Sequence, residues 1–146
     1  MEQEEAFKQL KIALITAPVL ARPDFTKEFK LYTDASAIGL GAILAQGEKD
    51  EERVIAYASR GTRGAEKNYG STQLECLAVV WAVELFRHYL LGRHFTVITD
   101  HSALQWLFNI NDPSRLHARW IMRMQVYDMT VTYRAGRKHQ NVDTLS

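Results

Sequence analysis

The chain has 146 residues, a formal net charge of +1 and 47% hydrophobic residues, enough for one domain with a true core. A single cysteine excludes an intrachain disulfide and a cysteine-rich zinc site. The longest apolar run, Cys76 to Val83, is eight residues, far short of the roughly 20 that a membrane helix needs, and the acidic, polar Met-Glu-Gln-Glu-Glu start resembles no signal or transit peptide. In chain order, Phe7, Leu10 and Leu14 predict an amphipathic helix over 4–17, which Pro18 ends. This helix either belongs to an upstream unit or packs on the domain that follows. A proline-containing connector occupies 18–27, and the domain proper is expected over 28–146. Three strand signals follow, at Glu28–Ser36, Gly39–Gln46 and Arg53–Ser59, with connections short enough for an antiparallel meander. Thr72 to Leu91 is the strongest helix, with Leu74, Leu77, Ala78, Trp81, Leu85 and Tyr89 on one stripe and Gly92 as its stop. A strand is expected at His94–Thr99, a short helix at His101–Phe108, a helix at about 115–127 and a strand at Met129–Arg134. A last helix would start near Asn141. Strands interleaved with helices in this order predict a mixed α/β layout.

Four acids stand where that layout would expose them. Asp34 ends the first strand, Glu75 lies in the first turn of the long helix, Asp100 ends the fourth strand, and Asp143 starts the last helix. Each has a bland reading. Thr72 and Glu75 match a capping box, Asp34 and Asp100 suit turns, and Asp143 suits a helix dipole. Parallel pairing of the first and fourth strands would bring Asp34 and Asp100 to one sheet edge, where open α/β sheets carry their ligands. Two carboxylates about 4 Å apart repel by roughly 4 kcal/mol at an effective dielectric near 20, so a convergent set either takes up protons or binds hard cations. Mg²⁺ suits such a site because it accepts few protein ligands and borrows phosphate oxygens. Two ions can serve the two oxygens of a phosphodiester cleavage.

The blocks T-D-A-S-A-I-G-L-G-A-I-L-A-Q, I-A-Y-A-S-R, E-K-N-Y-G-S-T-Q-L-E-C-L-A-V-V-W-A-V, F-R-H-Y-L-L-G-R-H-F-T-V-I-T-D-H-S-A-L-Q-W-L and R-A-G-R-K-H-Q-N-V-D-T-L-S follow one another along the chain. This sequence resembles the ribonuclease H domain of gypsy-type LTR-retrotransposon (Metaviridae) reverse transcriptases. The resemblance runs from about 28 to 146, and residues 4–24 resemble the end of the reverse transcriptase connection. It implies an α/β ribonuclease H-like fold, a five-stranded mixed sheet with flanking helices, preceded by a short connection helix, with residues 1–27 as the end of the connection (helix plus linker). It implies an endonuclease that cuts the RNA strand of RNA–DNA hybrids with two Mg²⁺ ions, or Mn²⁺ as substitute, held by Asp34, Glu75, Asp100 and Asp143. Tyr133 stands ten residues before the last aspartate, where related retroviral domains carry a histidine. With a pKa of about 10 a tyrosine cannot shuttle protons near neutrality, but it can hydrogen-bond a phosphate; alternatively it packs into the core. Ser36, Ser71, Thr72, Ser102, Arg134, Arg137 and Lys138 are the implied nucleic-acid contacts, hydroxyls and bases being suited to a sugar-phosphate chain. Arg60, Arg63 and Lys67, and the stripe Arg115, Arg119 and Arg123, are further basic candidates.

Two departures stand out. Gly70 replaces the usual serine after tyrosine, and the ending Asp143-Thr144-Leu145-Ser146 lacks the arginine that commonly follows. The implied partners are an RNA–DNA hybrid and the upstream polymerase and connection domains of a polyprotein, with an intracellular setting, cytoplasmic or in retroelement particles, and no membrane. The competing readings are a catalytically weak binding module that needs the rest of the reverse transcriptase, and a DNA-processing relative such as an integrase or resolvase. Charge bears on the first. Residues 1–100 hold 12 basic and 14 acidic residues, residues 101–146 hold 6 and 3, so non-specific nucleic-acid affinity is expected to be weak.

Overall fold

The computed structural model describes residues 20–104 and 115–134. The helix expected over 4–17, Trp106, the last helix, Asp143, Arg137 and Lys138 lie outside them. The described elements are β1 (Phe29–Ala35), β2 (Gly39–Gln46), β3 (Arg53–Gly61), α1 (Ser71–Leu85), α2 (Arg87–Leu90), β4 (His94–Thr99), α3 (Arg115–Met124) and β5 (Asp128–Tyr133), with 3₁₀ turns at Lys49–Glu51 and Gly64–Asn68.

The five strands form one mixed sheet in the order β3-β2-β1-β4-β5. The short links do produce antiparallel β1–β2 and β2–β3 pairs, while the helical crossovers make β1–β4 and β4–β5 parallel. The β1–β2 turn is closed by reciprocal backbone hydrogen bonds between Ser36 and Gly39 and pinned by the Thr62 hydroxyl, which donates to the Ala37 carbonyl at 2.6 Å. Gly47 adopts φ +104° after β2, and a Cβ there would meet the Glu51 carbonyl oxygen at 2.6 Å, so the turn requires glycine. A register shift between Leu44 and Ala45 bulges β3, and Val54 and Ile55 are both buried beside it.

Alternation sorts the strands into two faces. Phe29, Leu31, Ala35, Phe95, Val97 and Val131 meet α1, Trp120 and Met124 in the main core. Tyr32, Ile43, Ala45, Val54 and Ile98 form a second buried cluster. The long helix stops earlier than its pattern predicts. It breaks at Phe86, and the chain resumes as the single turn of α2. The buried place falls to Phe86, and Leu85, expected on the apolar stripe, is exposed. Ahead of β1, the connector is fastened to the sheet. Ala21 donates to the Val54 carbonyl, and the Gln46 amide accepts from the Asp24 N–H while donating to the Asp24 and Lys27 carbonyls. Among the described residues no helix is long and apolar enough to cross a membrane.

Candidate metal centre

The parallel pair β1–β4 sets the first two acids. Its register matches Tyr32 with Ile98, and Asp34 and Asp100 each lie two residues further on, side by side at the carboxyl end of the sheet. Glu75 arrives from α1. One carboxylate oxygen from each of Asp34, Glu75 and Asp100 lies within 4.8 Å of the other two. Asp143 is outside the described residues.

The capping reading of Glu75 does not hold. The helix starts one residue earlier than expected, with Gly70 as its N-cap, and the Gln73 side chain accepts the Gly70 N–H at 3.2 Å. Glu75 is turned inward instead and is 2% exposed. Its Oε2 is buried with no hydrogen-bond partner, an arrangement that is costly for an acid unless a proton or a cation compensates it. Burial, reinforced by Asp34 and Asp100, pushes the Glu75 carboxyl well above the ordinary glutamate range. Burial and then Asp100 push Asp34 up to about 7. The Ala35 N–H, donating to Asp34 Oδ1 at 3.0 Å, opposes the rise at both residues. Three hard oxygen ligands with one buried, unsatisfied oxygen fit a divalent cation such as Mg²⁺.

The remaining candidates divide. Tyr133 ends β5 opposite Thr99 at the same sheet edge. It is 41% exposed, so the core-packing reading fails. By alternation it shares the face of Val131, and among the described residues no hydrogen bond joins it to the acids. Arg134 continues the ladder, its N–H donating to the Thr99 carbonyl at 2.8 Å, which puts it next in register beside Asp100. Ser71 and Ser102 are exposed near the ends of α1 and β4. Ser36 requires a correction. It is fully buried, and its hydroxyl accepts the Ile38 N–H at 3.3 Å, so it serves the turn rather than a substrate strand. The Thr72 hydroxyl is engaged with His101 Nε2 at 2.9 Å.

Two basic candidates are also occupied. Arg60 grips both Glu66 oxygens, at 2.8 and 3.0 Å, with its guanidinium over the Trp81 ring. Arg123 pairs with Glu84 across α1 and α3. Trp120 is buried and Trp81 partly buried in the core, as their stripes predict. Cys76 is fully buried beside Glu75, and its thiol is pushed up to about 12 by that burial. The residue that sequence reading missed is Gln73. Its signal was the three-residue spacing from Gly70, an N-cap glycine answered by glutamine at N3.

Comparison with known proteins supplies the family. The model of the RNase H-like domain found in reverse transcriptase matches residues 24–127. The chain is 42% identical over 146 residues to the retrovirus-related Pol polyprotein from transposon 297 of Drosophila melanogaster, covering all of this chain and 13% of that protein. It thus spans about an eighth of that relative's length. Among solved structures, the prototype foamy virus protease-reverse transcriptase superposes with a TM-score of 0.67 at 12% identity, over 90% of this chain and 18% of that one. LC11-RNase H1 in complex with RNA/DNA hybrid superposes at 0.60 with 13% identity, over 81% of this chain and 93% of that one. At these identities the two structures speak for the fold. With a five-stranded mixed sheet, the acids at its carboxyl edge and a family match across most of its length, the chain belongs to the RNase H-like domains found in reverse transcriptases.

Proposed function

We propose that this chain is a metal-dependent endoribonuclease that cleaves the RNA strand of RNA–DNA hybrids, acting as a module of a retroelement reverse transcriptase. The observation that carries this reading is the convergence of Asp34, Glu75 and Asp100 with the buried, unpartnered Glu75 Oε2. Asp143 is the proposed fourth acid of the set. Divalent cations held by these acids, two Mg²⁺ or Mn²⁺ ions in this reading, would supply an activated water and charge stabilisation at the leaving oxygen.

The chain's own residues do the rest. Asp34 and Asp100 present their carboxylates on one rigid edge, because the ladder behind them fixes their spacing. Glu75 adds a ligand from a dry side of the site. Arg134 offers a cation at the end of the same row, and Tyr133 a hydroxyl for a phosphate oxygen. Ser71 and Ser102 give exposed hydroxyls beside the acids, and Arg137 and Lys138 extend the basic side in this reading. Residues 1–27 are read as the end of the reverse transcriptase connection and 28–146 as the nuclease domain, in an intracellular setting. A net charge of +1 and a length of 13% of the Drosophila relative favour a module that draws substrate affinity from its neighbours in the polyprotein.

The test is a titration of Mg²⁺ and Mn²⁺ against an end-labelled RNA–DNA hybrid, with duplex DNA as control. Cleavage confined to the RNA strand, and lost in Asp100→Asn, is the expected result. Absence of cleavage in Mn²⁺ at high protein, alone and with the polymerase supplied, would leave a nucleic-acid-binding module instead.

A further inference from the structure

Three carboxylates that repel one another must be held together, and the fold secures them unequally. Asp34 and Asp100 are spaced by the β1–β4 ladder, whose strand separation of about 4.8 Å is set by backbone hydrogen bonds. Glu75 has no ladder. Its helix packs on the sheet through apolar side chains, and that attraction is non-directional. Repulsion among the acids therefore acts to slide or rotate the first turn of α1 away from the sheet edge.

Besides the Ala35 N–H, whose hydrogen bonding also acts on the Glu75 carboxyl, a directional link between side chains opposes this. Thr72 Oγ1 and His101 Nε2 are 2.9 Å apart, half-buried. Thr72 lies three residues before Glu75 and so shares its helix face. His101 directly follows Asp100. The bond thus runs alongside the approach of Glu75 to Asp100 and joins the two segments that carry them. His101 stands on a firm base. Its N–H donates to the hydroxyl of fully buried Thr99 at 3.1 Å, and its carbonyl accepts the Leu104 N–H at 3.1 Å as the next helix begins.

Resting on the metal-dependent reading above, we propose that Thr72 and His101 are positioning residues, a hydrogen-bonded pair that holds Glu75 in register with Asp100 so that one cation can reach both. Thr72 is then a builder of the metal site rather than a contact to the nucleic-acid strand. Supports of this kind typically change metal affinity 10–100-fold when removed.

The experiment measures Mn²⁺ affinity of the 146-residue chain by electron paramagnetic resonance of the free ion, and Mg²⁺ affinity by calorimetry. Thr72→Val and His101→Leu are each expected to weaken binding about tenfold, and the double variant no further than the weaker single, because one bond is lost in all three. Thr72→Ser and His101→Gln, which keep a hydroxyl and a polar nitrogen, are expected to return affinity to within about threefold of wild type. Melting in EDTA, followed by circular dichroism, reports folding separately. Unchanged affinity in Thr72→Val, or losses that add in the double variant, would overturn the pairing. Failure of Thr72→Ser to recover affinity would overturn the role of the hydroxyl, and it decides the matter even if His101→Leu does not fold. A wild-type chain that binds neither ion would instead overturn the metal-dependent reading, and the pair's role with it.

Discussion

Glu66 and Glu75 bracket the entry to the long helix, and the fold treats them in opposite ways. Glu66 sits in a matched cluster. It receives both arms of the Arg60 guanidinium and the Arg63 N–H, and the Arg60 hydrogen bond holds its carboxyl below the ordinary range. Glu75, nine residues on, is buried against two further acids with an oxygen unsatisfied, and its carboxyl is driven upward. One cluster is complete within the chain and stabilises it. The other is complete only with a proton or a cation from outside, which is the mark of a site rather than a support.

Neutralising the unmatched cluster should have the largest effect. Asp34→Asn removes one proposed ligand and one source of repulsion together. Hybrid cleavage is expected to fall about a thousandfold or more, since cations at such sites contribute several kcal/mol to the transition state. The same variant is expected to melt higher than wild type in EDTA at pH 8. A variant that keeps most of its activity would dissolve the contrast between the clusters.

Acidity offers the next test. Asp34 in the folded chain is raised from 3.8 to about 7, so between those values the folded state holds a proton that the unfolded state has released. Stability of the metal-free chain should therefore decline as pH rises through that window, by on the order of a few kcal/mol. Glu75, shifted in the same direction, adds to the decline. Denaturant melts in EDTA from pH 4 to 8 measure this slope, and saturating Mg²⁺ should flatten it at neutral pH. Glu66 has the opposite sign, and its stabilising contribution is lost as pH falls through the acid range.

Breaking the matched cluster should cost less and spare the metal. Arg60→Ala is expected to lower stability by about 1–2 kcal/mol, the worth of a bidentate, partly buried charged pair, with Mn²⁺ affinity unchanged. Arg123→Ala, at the half-exposed pair with Glu84, should change the melt by less than about 1 kcal/mol.

Much of the framework was legible in the residues. The apolar alternation of Phe29-Leu31 and Phe95-Val97, the short links of the meander and the stripe of α1 are local patterns, and local patterns set element type. The carboxyl-edge position of Asp34 and Asp100 followed once parallel pairing was assumed. The spacing admits two capping pairs, Thr72–Glu75 and Gly70–Gln73, and only the burial of Glu75 separates them. Ser36 presents a related ambiguity, which its full burial resolves. An exposed serine and a buried turn serine have the same neighbours in sequence. Arg60 and Arg123 looked like free bases, but their partners are six and 39 residues away, and the more distant pairing leaves no local trace.

The sequence by itself determined which chemistry was available: four candidate acids, a single cysteine, a balanced net charge and a family pattern. Periodicity and turn residues act over a few positions, so they specified strands, helices and their order. The tertiary structure decided which groups meet. It brought Asp34, Glu75 and Asp100 within 4.8 Å from three separate segments, left the buried Glu75 Oε2 unanswered and joined Thr72 to His101 across 29 residues. Desolvation and repulsion depend on distance through space, and no spacing along the chain encodes that distance.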